Sequence, residues 1–187
     1  MSTYTEPTQQ EHQAARERAI EAFTMIRQVV RNIRRSTGEI TPLMLLRPSK
    51  RVEGKDWVMT DIGEFFRSPE TKERFAQTLP MMAEQLKIRA GMIITEAWGV
   101  FSPTQENLDE YVQNNKSLEN HPDAKDVVMV SYEEPGYEEL VIYEALENGG
   151  LSEEPVFDST KETEDADAHQ REFNRFRFFP NPQGIDA

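Results

Sequence analysis

One carboxylate interrupts the most apolar run of the chain. Residues 92–101 read MIITEAWGVF, and side-chain alternation along a strand places Glu96 on the same face as Ile94 and Trp98. A charge in such surroundings must be paired, protonated or at a pocket edge, because an isolated buried charge is strongly destabilising. Glu96 could therefore form an ion pair with an arginine, line a ligand pocket walled by Trp98, or act as a general acid or base. The arginines considered as partners are Arg27, Arg31, Arg89 and Arg177.

The histidines offer little to complete a catalytic site. There are three, and His121 lies in the sequence Asn120-His121-Pro122-Asp123 before a strand. A turn, in which Asn120 or Asp123 bonds nearby backbone amides, is the main interpretation of this loop, and a metal or catalytic histidine is the alternative. If a pocket exists around the apolar strand, we expect Glu96, Trp98, His121 and Asp123 to line it.

A second histidine lies in an acidic tract. Asp165, Asp167 and His169 alternate, so they would share one side of an extended segment, and their ligand types suit Mn, Zn or Fe. The alternative is weak cation binding by solvated coil. The sequence contains no P-loop, dinucleotide fingerprint, zinc-protease helix or nucleophile elbow. We therefore assign no catalytic residue, no cofactor and no metal, and favour a non-enzymatic function.

The negative charge is concentrated in one segment. The net charge is −13; residues 1–101 carry 15 basic and 13 acidic side chains, whereas residues 102–170 carry 3 and 19. Such a field repels phosphates and anionic lipids, so direct nucleic-acid or membrane-surface binding is disfavoured and a protein partner with a basic surface is favoured.

Part of this acidity falls on a predicted hairpin, which could hold carboxylates rigidly. A solvated, solubilising face is the plain interpretation; partner binding and nucleic-acid mimicry are the functional ones. The candidate partner-binding residues are Glu133, Glu134, Glu138, Glu139, Glu144 and Glu147.

Length and composition predict a single domain in the cytoplasm. The 187 residues can bury a substantial core, and the absence of cysteine excludes disulfides and thiolate sites. The N-terminus has no apolar leader, and no run is long enough for a membrane span.

The pattern of elements predicts an α+β fold. Capping-box spacing and helical periodicity predict a helix over 8–36, whose final arginines either complement the helix dipole or form a basic docking face. Short strands at 40–46 and 57–62 precede a helix that starts at Ser68 and is kinked or split at Pro80. The strand 92–101, a short helix over 103–113 and a hairpin of 126–132 with 138–146 follow.

From these elements we expect an antiparallel sheet of five to six strands with both helices packed on one face. The domain is expected to span 8–146, with an acidic flexible loop over 147–170, a final edge strand over 171–179, and flexible termini at 1–7 and 180–187. The heptad-like first helix and the last strand both allow a homodimer.

The apolar strand and the histidine loop resemble parts of other proteins. Residues 94–98 (ITEAW), followed by 121–123 (HPD) and the strand 127–130, are similar to small proteins of phages and bacteria that have a Glu-Ala-Trp strand and a His-Pro-Asp loop. The resemblance covers about a third of the chain. It implies an accessory protein of a phage or mobile element, and it implies no activity.

Two functions from different classes are thus predicted. The first is a non-catalytic accessory protein that binds a basic partner through its acidic surface, with a nucleic-acid-mimic inhibitor as a variant. The second is an enzyme or small-ligand binder with a pocket around Glu96, Trp98 and His121.

Overall fold

A computed structural model describes residues 8–100, 121–161 and 178–179. These residues form a six-stranded antiparallel sheet and two helices. The strand order is β2-β1-β3-β4-β5-β6, and the predicted α+β class is confirmed. The helices are α1 (Gln9–Thr37) and α2 (Pro69–Gln85), and the strands are β1 (Leu43–Pro48), β2 (Val58–Asp61), β3 (Ile88–Gly99), β4 (Lys125–Glu134), β5 (Tyr137–Glu144) and β6 (Phe157–Asp158).

Local signals define both ends of α1. The Thr8 side chain accepts from the backbone N–H of Glu11, and the Glu11 carboxylate accepts from the N–H of Thr8 at 2.7 Å, which forms the predicted capping box. These bonds hold the pKa of Glu11 below its usual range. At the other end, Gly38 takes a left-handed conformation (φ 83°), and its N–H bonds the Arg34 carbonyl oxygen.

The second helix is continuous. Ser68 caps it through the backbone N–H of Thr71, and Pro69 occupies the first turn as predicted. Pro80 lies inside the helix, which continues to Gln85 and is therefore not split in two.

The two helices pack on opposite faces of the sheet, which corrects the predicted packing on one face. The residues of β1 alternate between the two faces. Leu43 and Leu45 pack in the core under α1, and Met44 and Leu46 pack in the core under α2. On β3, Met92 and Ile94 face α1 and Ile93 faces α2. Consecutive apolar residues make these strands buried on both faces, so each face requires its own helix.

Tight turns define the hairpins. Pro135 and Gly136 join β4 to β5, with Glu134 paired to Tyr137 and Gly136 at φ 76°, which confirms the predicted turn. The strand β3 begins four residues before the predicted start, at Ile88.

The first part of the acidic tract 147–170 is packed, not a flexible loop. Leu151 is buried and bridges to Ala145, β6 pairs with β5, and Thr160 is buried in a short 3₁₀ turn. A few apolar side chains and backbone hydrogen bonds suffice to order this segment despite its charge. Phe178 and Phe179 lie in a bend and not in a strand.

Several predictions fall outside the described residues: the termini 1–7 and 180–187, the helix 103–113, the end of the acidic tract at 162–170, and the last strand up to residue 177. Among the described helices, none has the length and apolar character needed to cross a bilayer.

Candidate functional site

Glu96 forms an ion pair with the last turn of α1. Its Oε1 accepts from Nε of Arg34 at 2.8 Å. The guanidinium of Arg34 is buried, and its Nη1 also donates to the carbonyl oxygens of Leu146 (3.0 Å) and Gly150 (3.1 Å). The ion-pair interpretation is therefore confirmed, but the partner is Arg34, which was not among the arginines considered.

The other members of the predicted pocket lie near the same end of the sheet. Trp98 pairs with Asp126 across strands and is half exposed. The turn is present at His121, whose carbonyl oxygen accepts from the N–H of Ala124 (2.9 Å), but the side chain that bonds a backbone amide is His121 itself, at Nδ1 from Asp123 (3.1 Å), and not the expected Asp123. Asn120, the other expected donor of a side chain to this turn, lies outside the described residues. None of the predicted pocket residues Glu96, Trp98, His121 and Asp123 lines the cavity beside the β4–β5 turn or the cavity between α1 and β5. The pocket stays a prediction.

Two hairpin glutamates are buried and bonded within the chain. Glu133 accepts from the backbone N–H groups of Phe178 (2.7 Å) and Phe179 (3.2 Å). Glu134 accepts two hydrogen bonds from the Arg18 guanidinium and one from the Tyr132 hydroxyl at 2.9 Å. The bonded carboxylate raises the pKa of Arg18, and burial is the first cause of the raised pKa of Tyr132. Neither glutamate presents a free carboxylate to a partner.

The remaining hairpin glutamates differ in their availability. Glu139 accepts from Tyr137 (2.5 Å) and from Ser159, and Glu144 accepts from Lys125 Nζ at 2.9 Å. Glu138 is half-buried, and Glu147 is exposed. Of the six predicted partner-binding residues, only Glu147 is thus at an exposed position.

The arginines of α1 face the acidic half of the chain. Arg16 donates to the carbonyl oxygen of Thr160, Arg31 donates to that of Ser152 at 3.0 Å, and Arg27 lies 5.5 Å from the centre of the Tyr143 ring. Together with Arg18 and Arg34, these residues dock the helix on β4, β5 and the segment after them. The basic face of α1 therefore meets the chain's own acidic segment, but only the Arg18–Glu134 contact among these pairs a cation with a carboxylate of that segment.

A group of exposed carboxylates remains at the end of the sheet where β4 begins and β5 ends. The N–H of Ala145 bonds the carbonyl oxygen of Asp126 (2.8 Å), and the N–H of Ser152 bonds that of Glu144 (2.9 Å), which brings these segments together. We call the exposed members the acidic end: Asp123, Asp126, Glu147, Glu153 and Glu154.

One cavity lies at the opposite end of the sheet, beside the β4–β5 turn. It has a volume of about 580 Å³. Its cationic lining residues are Arg18, Arg47 and Arg89, its acidic ones are Glu11 and Glu134, and His12 and Tyr137 also line it. No sequence motif marks this cavity, because its residues come from one helix and four strands, α1, β1, β3, β4 and β5, and from the turn that joins the last two.

No metal site is found in the described ranges, where no three histidine, aspartate or glutamate side chains cluster suitably. The Asp165, Asp167 and His169 triplet lies outside them. In the comparisons with known proteins, no family model, curated protein or solved structure matched this chain. The resemblance to phage and bacterial proteins therefore stays a prediction.

Proposed function

We propose that this chain is a non-catalytic accessory protein that binds a macromolecular partner with a basic surface, and that the acidic end is the contact surface. The observation that carries the proposal is the imbalance of charge there. Residues 121–161 contain 11 acidic and 2 basic side chains, and both lysines are within 4.0 Å of carboxylates of the same segment. The exposed carboxylates of the acidic end thus have few local cations to neutralise them.

The proposal keeps Glu147 from the predicted partner-binding residues and leaves out the bonded hairpin glutamates. Glu133 and Glu134 are buried and bonded, so replacing them would disturb the fold and not test a surface. Charges at the rim of an interface act mainly on the association rate and on its salt dependence. We therefore expect a partner whose affinity falls steeply as ionic strength rises.

A nucleic-acid-mimic inhibitor is the special case in which the partner is a DNA-binding protein. The enzyme or ligand-binding alternative would need a pocket around Trp98, His121 and Asp123, because the Glu96 carboxylate is bonded to Arg34. A phage or mobile-element origin belongs with the resemblance and is not required by the charge argument.

The test removes three charges from the acidic end and three from elsewhere. The first variant is Asp126→Asn/Glu147→Gln/Glu153→Gln, and the matched control is Glu21→Gln/Glu39→Gln/Glu84→Gln, all at exposed positions. Proteins retained by the immobilised wild-type chain are eluted with a salt gradient. The dissociation constant of each retained partner is then measured for the three chains.

We expect the first variant to bind at least about tenfold more weakly, which corresponds to about 1.4 kcal/mol, and the control to bind like the wild type. Equal weakening in both variants would mean that only net charge matters. Salt-independent binding, or full affinity of the first variant, would refute the acidic end as the contact surface.

A further inference from the structure

A β-bulge helps to shape the cavity at the hairpin end. Arg47 pairs with Ala90, but the next pair is Pro48 with Ile88, so Arg89 is left without a pairing partner on β1. Ala90 joins the core under α1, whereas Ile88, two residues away, joins the core under α2. The bulge thus interrupts the alternation of β3 and lets Arg89 line the cavity beside Arg47.

The arginines of this cavity are not equally engaged. Arg18 is held by two hydrogen bonds to Glu134. Within the described ranges, neither Arg47 nor Arg89 has a carboxylate within 4.0 Å of its guanidinium nitrogens. Two cations therefore line one concave site without an ion-pair partner there. An anionic ligand bound between them would supply the missing opposite charge.

The two carboxylates of the lining, Glu11 and Glu134, are each bonded within the chain, and the remaining residues suit a small organic ligand. Ala15, Ile88 and Ala90 supply apolar surface, and Tyr137 supplies an aromatic ring. The Trp57 ring lies 6.0 Å from the Arg47 guanidinium carbon, which limits the positions of that side chain. The cavity volume of about 580 Å³ is typical of small-molecule sites.

We propose that this cavity binds a small organic anion whose carboxylate or phosphate group is held jointly by Arg47 and Arg89. The planar guanidinium presents donors in a fork that matches both groups. Because the whole chain carries a net charge of −13, long-range attraction does not favour anions, and binding has to come from these local contacts. This site is distinct from the acidic end, which lies at the other end of the sheet.

The experiment titrates the full chain with inorganic phosphate and, separately, with succinate, so that the two head groups are distinguished. Binding is followed by NMR at the Arg Nε–Hε resonances in low-chloride buffer. We expect saturable shifts of Arg47 and Arg89 with a dissociation constant of about 1 mM or below for at least one of the two anions.

Three variants complete the test. Arg89→Gln replaces an exposed side chain and should keep the fold, and Arg47→Gln removes the second cation; each is expected to weaken binding at least about tenfold. The control is Arg74→Gln on the exposed surface of α2, which should bind like the wild type. Equal loss in the control, full binding by Arg89→Gln, or no saturable shift with either anion would overturn the proposal.

Discussion

Nε of Arg34 donates to Oε1 of Glu96 at 2.8 Å, and this contact joins the last turn of α1 to the centre of the sheet. Since the same guanidinium also binds two carbonyl oxygens of the loop after β5, Arg34 connects three parts of the chain that are distant in sequence. Glu96 is thereby explained as a structural residue. Its apolar strand tolerates the carboxylate because the charge is paired.

Replacing Arg34 by methionine should lower the free energy of unfolding by about 2–4 kcal/mol, because Glu96 and two carbonyl oxygens lose their donor. Glu96→Gln should cost less, about 1 kcal/mol, since the amide oxygen still accepts from Nε. Urea unfolding measures both. The control Arg35→Met, at an exposed neighbouring position, should change stability by less than about 0.5 kcal/mol. Equal effects of Arg34→Met and Arg35→Met would contradict the assigned role.

Gly91 provides the space for the Phe178 ring. A Cβ atom built on Gly91 lies 2.5 Å from ring atoms of Phe178, and Phe178 is 2% exposed. Gly91→Ala should therefore destabilise the chain by about 1–3 kcal/mol through overpacking.

A double-mutant cycle separates this contact from other effects. In a Phe178→Ala background the clash is gone, so Gly91→Ala should be neutral or slightly stabilising, as alanine usually is relative to glycine in a strand interior. The coupling energy from chemical denaturation should be about 1 kcal/mol or more. Additive free-energy changes would show that Phe178 does not pack on Gly91.

Local signals in the sequence were sufficient for much of the fold. Thr8 and Glu11 define the start of α1 and Gly38 its end, and Pro135 and Gly136 define a hairpin turn. Each of these depends on residues within a few positions of one another, which is why spacing alone predicts them.

The prediction that both helices share one face was wrong for a reason visible in β1. Leu43, Met44, Leu45 and Leu46 are consecutive and all buried, and such a run indicates a strand that is covered on both sides. The alternation of side chains along β3 correctly placed Glu96 on the same face as Ile94. It did not show that the opposite face of the strand is also covered by a helix.

The site could not be predicted in the same way, because its contacts are long-range. Arg34 is 62 positions from Glu96, and Arg18 is 116 positions from Glu134. A sequence shows that Glu134 is acidic, but not that it is buried beside an arginine. The availability of each hairpin carboxylate therefore becomes visible only in the fold.

The tight turn before β2 offers a stabilising substitution. Glu53 and Gly54 have φ values of 51° and 77°, and Val52 and Lys55 exchange backbone hydrogen bonds across them. Two positive φ values favour Asn-Gly, whereas glutamate is strained there. Glu53→Asn should raise the free energy of unfolding by about 0.5–1 kcal/mol. Glu53→Gln, which removes the same charge without the preference for positive φ, should change it less; an equal gain would attribute the effect to charge.

Two buried tyrosines, Tyr132 and Tyr143, and the half-buried Tyr137 make stability depend on alkaline pH. Burial is the first cause that raises the pKa values of Tyr132, Tyr137 and Tyr143 above the ordinary value of about 10. Above that pH, the unfolded chain loses phenolic protons that the folded chain retains, so the folded state binds more protons and stability falls. Each fully shifted tyrosine lowers the free energy of unfolding by about 1.4 kcal/mol per pH unit.

Urea unfolding between pH 9 and 11 should show this decline, and absorbance at about 295 nm should show that these three phenols ionise only as the chain unfolds. Tyr143→Phe tests whether burial causes the decline. Hydrogen bonds to carboxylates contribute to the raised pKa values of Tyr132 and Tyr137, but not to that of Tyr143. This variant should match the wild type at pH 7 within about 0.5 kcal/mol and lose less stability as the pH rises. If all tyrosines titrated near pH 10 in the folded chain, or if Tyr143→Phe left the pH dependence unchanged, burial would not be the cause of the alkaline instability.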